Sequence, residues 1–148
     1  MGKSTIPSAN SLLLQPTVHA ELERLGTPRT FRRGVVIFAE GDPPRGVYVI
    51  KKGNVRLLLH NDGGGLANIR DVGPGGVIGL PAALGNKPYS LTAETHEATH
   101  TVFISRQNLL EFLRDNPAIC LQLLGTLSAE VRSMRGLMAH PKKPAKVD

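Results

Sequence analysis

Between Thr30 and Ile104 the chain consists of short runs rich in β-branched residues, and glycine-containing turns separate almost every pair of runs. Turn signals of this kind include Gly41-Asp42-Pro43-Pro44, Lys52-Gly53-Asn54 and the Asn61–Gly65 segment. Six or more short strands at such close spacing predict a small barrel or sandwich. The runs are Val35–Phe38, Val47–Ile50, Val55–His60, Leu66–Val72, Leu91–Thr95 and Thr99–Ile104.

Helical patterns flank this β-rich region on both sides. Pro16 opens a predicted helix over Thr17–Leu25 that ends at Gly26, and Ser105 is a plausible N-cap for a second helix. We therefore expect a flexible lead-in over residues 1–15, one domain over 16–138 and a basic tail over 139–148. Within the domain, the β region covers about 30–104 and the C-terminal helices about 105–138.

The longest helical pattern runs from Pro117 to Met138 and carries an apolar seam. Its members recur at spacings of four and three residues, which is the repeat of a parallel helix pair between two chains. The predicted dimer interface comprises Cys120, Leu124, Leu127, Val131, Met134 and Met138. The alternative is that this stripe only covers the chain's own β domain, as most amphipathic helices do.

Charge is concentrated at the C-terminus. The chain carries a formal charge of +6, yet residues 131–148 hold five basic residues against the single acid Asp148. A nearly neutral body is atypical of a protein that coats nucleic acid with its whole surface. Weak, salt-sensitive nucleic-acid binding without base readout remains an alternative function for Arg132, Arg135, Lys142, Lys143 and Lys146.

The single cysteine, Cys120, limits the chemistry available to one chain. It excludes an internal disulfide, a zinc site made of cysteines and a cysteine-held iron–sulfur cluster. No run approaches the 18 or more apolar residues of a membrane span, and residues 1–15 lack the charged-then-apolar pattern of a secretory signal. We therefore expect a cytoplasmic protein with no membrane partner.

Residues 31–57, FRRGVVIFAEGDPPRGVYVIKKGNVRL, resemble the start of the cyclic-nucleotide-binding domain of the Crp/Fnr family of bacterial transcription regulators. The resemblance covers roughly residues 17–138, and Gly34, Gly41 and Gly53 stand where that family turns between strands. It implies a mainly β fold with flanking helices: a cyclic-nucleotide-binding-like β-roll (a double-stranded β-helix or jelly roll) followed by a long C-terminal dimerisation helix.

The resemblance places the phosphate-binding cassette of the family at residues 73–93. Gly79 matches the family glycine, but Leu80 replaces the glutamate that binds the ribose, and Pro81 removes one backbone amide. The phosphate-binding arginine has two possible counterparts: counting back from Ala93 gives Lys87, and counting forward from Gly79 gives Ser90. Cyclic AMP is therefore a possible but disfavoured ligand, because a charged hydrogen bond is worth about 1.5 to 3 kcal/mol.

A different small molecule in the same pocket is a further possibility. The predicted ligand-binding residues are Gly79, Leu80, Pro81, Ala82, Ala83, Lys87, Tyr89 and Ser90, of which Tyr89 and Ser90 offer polar groups beside an apolar wall. The alternative is a collapsed pocket that Leu80, Ala83 and Leu84 fill. We expect no metal site, since the five histidines are most simply surface residues.

Motifs of enzymes are absent from the sequence: it contains no nucleophile elbow, no phosphate-binding loop in a valid frame and no zinc-protease motif. Family regulators continue into a helix-turn-helix domain, whereas this chain ends ten residues after Met138. We therefore predict a non-enzymatic sensor domain of transcription regulation that does not by itself bind DNA sequence-specifically. It would form a homodimer, or a heterodimer with a full-length family regulator; a ligand-free interaction scaffold is the other alternative.

Overall fold

The computed structural model describes residues 16–123. A helix precedes an eight-stranded β region that a short helix interrupts, and two further helical segments follow it. In chain order the elements are α1 Pro16–Arg24, β1 Thr27–Phe31, β2 Val36–Phe38, β3 Gly46–Lys52, β4 Val55–His60, β5 Leu66–Val72, β6 Val77–Ile78, α2 Leu80–Gly85, β7 Thr92–Thr95, β8 Thr99–Ser105 and α3 Arg106–Asp115. Residues 117–123 are also helical and are called α4 below.

The strands form two four-stranded antiparallel sheets, ordered β1-β8-β3-β6 and β2-β7-β4-β5. The consecutive strands β4 and β5 pair with each other, whereas the consecutive strands β7 and β8 lie in different sheets. This topology is that of the predicted β-roll. Each of the six predicted strand regions contains an observed strand. β1 and β6 were not predicted. In β1, Pro28, Arg29 and Thr30 interrupt the apolar pattern of a strand. β6 has only two residues.

The core consists of two apolar clusters on opposite faces of β3. Val47 and Val49 face a helical cluster that α1, α2, α3 and α4 complete, while Tyr48 and Ile50 face the interior of the roll. All four of these β3 residues are buried, which is the pattern of a strand covered on both faces. α2 contributes to both clusters, so it lies between the roll interior and the helices.

Local sequence signals set the ends of the helices. Ser105 caps α3 as predicted, because its Oγ accepts a hydrogen bond from the backbone N–H of Asn108 at 3.1 Å. Leu109, Phe112 and Leu113 form the buried face of this helix, which packs on the helical cluster. Within residues 16–123, no helix is long and apolar enough to cross a membrane.

Candidate functional site

A cleft opens between the interior face of the roll and α2. Its cavity is small, about 50 Å³, and it opens into a larger space that is shared with solvent. Its walls are mostly apolar, and Arg70 is their one charged side chain. The lining residues are Phe38, Leu57, Arg70, Val72, Val77, Ile78, Gly79, Pro81, Ala82, Tyr89, Ser90 and Leu91.

Gly79 allows α2 to begin close to the roll. Its φ of 90° lies in the left-handed region, which side chains other than glycine rarely adopt. A Cβ at this position would also lie 3.0 Å from the carbonyl oxygen of Gly46 and 3.1 Å from Cε1 of Tyr89. The glycine that matches the family cassette is therefore required here by backbone conformation and by packing.

The two faces of α2 serve different parts of the molecule. Pro81 and Ala82 line the cleft, whereas Leu80 and Ala83 point into the helical cluster, where Leu80 is 1% exposed. This position differs from the expectation that Leu80 and Ala83 contact a ligand, because the helical turn places them on the opposite face. It differs equally from a collapsed pocket filled by Leu80, Ala83 and Leu84, since all three pack on the helical side.

Tyr89 forms one wall of the cleft and is held there by contacts on two sides. Its ring stacks on Phe38 with a centroid separation of 3.8 Å and an interplanar angle of 12°. Its hydroxyl donates to the Gly46 carbonyl at 2.7 Å and accepts the Gly46 N–H at 3.2 Å. Burial raises the pKa of the Tyr89 hydroxyl above its ordinary value. Tyr89 therefore offers the cleft its ring, and its hydroxyl serves the protein backbone.

The two sequence candidates for a phosphate-binding residue have different positions. Ser90 lines the cleft at its exposed end, and Lys87 is exposed and is not one of the lining residues. The backbone N–H of Lys87 bonds the carbonyl of Ala82 at 3.1 Å, which closes the turn after α2. The structure thus brings together Gly79, Pro81, Ala82, Tyr89 and Ser90, and places Leu80, Ala83 and Lys87 elsewhere.

Arg70 is a cleft residue that sequence reasoning missed. In the register of β4 and β5, Arg56 and Asp71 pair across the outer face and form an ion pair of 3.3 Å, so Leu57 and Arg70 face inward. Burial lowers the pKa of the Arg70 guanidinium, because the charged form loses contact with water. The signal in the sequence was a charged residue two positions before Val72, on the apolar face of a strand.

A β-bulge lies next to Arg70, on its N-terminal side in β5. Leu57 pairs with Arg70 but Leu58 pairs with Asn68, so Ile69 is an extra residue in β5. Bulges redirect neighbouring side chains and occur frequently beside functional sites. The pairing of β5 with β4 therefore fixes the inward position of Arg70, which the alternation with Val72 also indicates.

A direct hydrogen bond connects α2 to α3. Nε of Arg106, the first residue of α3, donates to the carbonyl of Ala83 at 2.7 Å. Ala83 is fully buried, so this bond joins the rear of the cleft helix to the helices that follow the roll. Leu80 and Ala83 add apolar contact to the same cluster as Leu109 and Phe112.

The histidines of the described segment lie outside the cleft. His60 contacts Glu40, His96 contacts Arg56, and Nδ1 of His19 lies 2.6 Å from a carboxylate oxygen of Glu23. Over residues 16–123, no group of three or more histidine, cysteine, aspartate or glutamate side chains is placed to hold a metal ion. His96 and His100 do not share a helical face, since His96 lies in the turn between β7 and β8.

Most of the predicted helical seam lies outside the described residues. Only Cys120 falls within them, and it is partly buried against the helical cluster of its own chain. The buried neighbour Leu123 also packs on that cluster. The remaining seam positions, Leu124, Leu127, Val131, Met134 and Met138, and the basic residues of the tail lie beyond the described segment.

Comparison with known proteins matches the sequence and the fold to one family. The model of the cyclic nucleotide-binding domain matches residues 28–116, which is more than half of the chain. A CRP-like cAMP-activated global transcriptional regulator of Mycobacterium tuberculosis is 28% identical over 126 residues, covering 85% of this chain and 56% of the regulator.

Solved structures agree with this match. The catabolite activator protein of Thermus thermophilus has a TM-score of 0.75 and 25% identity, covering 84% of this chain and 59% of that protein. The N-terminal domain of a transcriptional regulator from Streptomyces coelicolor has a TM-score of 0.65 and 26% identity, covering 84% and 87% respectively.

The chain therefore belongs to the cyclic nucleotide-binding domain family, in the form found in Crp/Fnr-type regulators. The predicted β-roll with flanking helices is confirmed by the same match. The chain spans about half the length of the relatives it matches by sequence.

Proposed function

We propose that this chain is the non-enzymatic, effector-sensing domain of a cytoplasmic Crp/Fnr-type transcription regulator, with the cleft beside α2 as its effector site. The observation that carries the proposal is the position of α2, which has one face in the cleft and the other in the helical cluster. A ligand in the cleft contacts Pro81 and Ala82, and any displacement of α2 acts directly on α3. The name of the Mycobacterium tuberculosis relative, a global transcriptional regulator, supports the regulatory role.

Signalling in this proposal proceeds through two linked contacts. The ligand favours the position of α2 in which the cleft best fits it, which shifts the population between two packings. The hydrogen bond from Arg106 to the Ala83 carbonyl and the packing of buried Leu80 then transmit the shift of α2 to α3 and α4. Output through the helices that follow the roll requires no chemical step, which agrees with a non-enzymatic domain.

The cleft is a poor match for a cyclic nucleotide. No carboxylate is present among its lining residues to bind ribose hydroxyls, and Pro81 removes an amide from the first turn of α2. The one charged lining residue, Arg70, stands on β5 rather than in the cassette. We therefore propose an effector other than cyclic AMP and expect cyclic AMP to bind weakly.

Dimerisation through residues 117–138 remains part of the proposal, with a second copy or a full-length family regulator as the partner. Val131→Asp places a charge in the predicted seam and should convert the dimer into a folded monomer. The matched control is Leu66→Asp, which introduces the same charge at an exposed apolar residue of β5. Sedimentation velocity measures both variants, and a wild-type chain that sediments as a monomer would contradict the dimer.

Amide hydrogen exchange tests the sensing role itself. The purified chain is screened by NMR with a metabolite library that includes cyclic AMP and cyclic GMP, and each compound that shifts cleft resonances is then studied by exchange. We expect changed protection in α3 as well as in α2, and loss of the α3 response in Arg106→Gln with binding retained. Binding that leaves α3 unchanged in the wild type, or a library without any cleft binder, would refute the sensing role.

A further inference from the structure

A groove of about 590 Å³ lies on one face of the β1-β8-β3-β6 sheet, beside α1. Its walls come from α1, β1, β3 and β8, and it is open to solvent. Val102 belongs both to this groove and to the helical cluster, so the groove begins where the helices stop covering this face of the sheet. Tyr48 and Ile50 face the roll interior from the other side of the same sheet, so the groove is separate from the cleft.

A row of three polar side chains crosses the groove. Thr30 of β1 lies directly opposite His100 of β8, and His100 lies directly opposite Lys52 of β3. Residues opposite each other in an antiparallel pair share a face and have Cβ atoms about 4.5–5.5 Å apart. All three residues are exposed, and each offers a hydrogen-bond donor: a hydroxyl, an imidazole N–H and an ammonium group. These three residues are called the polar row below.

The polar row has no partner within the described part of the chain. Among residues 16–123, no hydrogen bond or ion pair engages any side chain of the row. Glu23 is the one acidic residue that lines the groove, and its two carboxylate oxygens lie 2.7 Å from Nζ of Lys51 and 2.6 Å from Nδ1 of His19. Two basic side chains opposite each other repel when both are charged, and an anionic group between them relieves that repulsion. The polar row therefore favours an anionic group as its partner.

Charge decides what fits this groove. Residues 1–15 contain one lysine and no acid, and residues 124–148 contain five lysines and arginines against Glu130 and Asp148. Neither segment, from this chain or from a second copy, is therefore complementary to the polar row. A nucleic acid presents a continuous series of phosphates and needs a matching series of cations, whereas Lys52 and His100 are only two basic groups. An acidic segment of another protein fits better, because a single carboxylate satisfies the row.

We propose that the groove beside α1 is a docking surface for an acidic segment of a partner protein, with one carboxylate bound by the polar row. Pro28 and Val102 lie opposite each other two residues further along the same face, and they contact the hydrocarbon part of the segment. The docking surface and the effector cleft lie on opposite faces of β3, so neither proposal rests on the other.

NMR titration of the isotope-labelled chain tests the docking surface. The probe is a short peptide of alternating glutamate and alanine, and its neutral counterpart carries glutamine in place of every glutamate. We expect the glutamate peptide to shift the amide resonances of Thr30, His100 and Lys52 and to bind about 10-fold or more tightly than the glutamine peptide. Equal affinities, shifts only elsewhere, or tighter binding of a short DNA duplex or of inorganic phosphate at the same resonances would overturn the proposal.

Two opposite changes of charge test the residues. Lys52→Gln removes a donor from the polar row and should weaken binding of the glutamate peptide about 5-fold, whereas Glu23→Gln removes the competing carboxylate and should strengthen it. Arg114→Gln is the matched control for Lys52→Gln, since Arg114 is exposed in the last turn of α3 and does not line the groove. An effect of Arg114→Gln as large as that of Lys52→Gln, or no gain in Glu23→Gln, would contradict the assignment.

Discussion

Replacement of Tyr89 by phenylalanine removes one oxygen atom from the wall of the cleft and keeps the ring. That oxygen makes two hydrogen bonds with the backbone of Gly46, at 2.7 and 3.2 Å, and both groups are buried. Each bond is worth about 1 kcal/mol net, and the Gly46 groups lose a partner in a site from which water is largely excluded. We therefore expect Tyr89→Phe to lower the free energy of unfolding by about 2 kcal/mol.

Urea unfolding followed by far-ultraviolet circular dichroism measures this change. With a slope of about 2 kcal/mol per molar urea for a domain of this size, the midpoint should fall by about 1 M. Tyr48→Phe is the matched control, because Tyr48 is also buried but its hydroxyl has no hydrogen-bond partner among residues 16–123. A midpoint shift in Tyr89→Phe no larger than that in Tyr48→Phe would refute the reasoning.

The same variant has a signature at alkaline pH. Since burial raises the pKa of Tyr89 in the folded state, the folded chain holds this proton more tightly than the unfolded chain does. The resulting stability is fully present below the unfolded pKa of about 10 and is lost as the pH rises from there towards the folded value. The wild type should therefore lose stability above about pH 10 more steeply than Tyr89→Phe, and parallel pH profiles would contradict this.

Two further pairs of variants test the turns and the surface charges. Gly53→Ala should lower the free energy of unfolding by about 3 kcal/mol or more, because φ is +100° and a Cβ would lie 2.5 Å from a backbone carbonyl oxygen. Gly64→Ala, at φ +86° in open space, should lower it by about 1 kcal/mol. Equal losses in urea unfolding would contradict the clash at Gly53. The hydrogen bond from Lys51 lowers the pKa of Glu23, so the stability it adds is present above about pH 4.5 and is lost as the pH falls through the lower folded value. Glu23→Gln should therefore show a shallower loss of stability in acid than the control Glu21→Gln, and identical acid profiles would count against the ion pair.

Local sequence was sufficient for most of the β-roll because its signals are short-range. Glycines with positive φ at Gly34, Gly41 and Gly53 mark turns that few other residues can form, and the apolar runs between them become strands. Ser105 likewise caps α3 through a bond to its own third neighbour. β1 and β6 were not predicted, because their residues become strands only through pairing with distant β8 and β3.

The candidate site was less predictable, because it depends on which way side chains point. Gly79, Pro81, Ala82, Tyr89 and Ser90 meet at the cleft as the cassette suggested. Residues adjacent in sequence to these lie elsewhere, since one step along α2 turns Leu80 and Ala83 away from the cleft and towards the helices.

The sequence by itself determined the family, the β-roll and the glycine positions that allow its turns, because backbone conformation and alternation of apolar residues are local properties. Only the tertiary structure decided what faces the cleft. The register between β4 and β5, with its bulge at Ile69, turns Arg70 inward, and the packing of α2 between two cores directs Leu80 away. These choices depend on partners far apart in the chain, so the local alternation of β5 could place Arg70 on the same face as Val72 but could not show that this face lines the cleft.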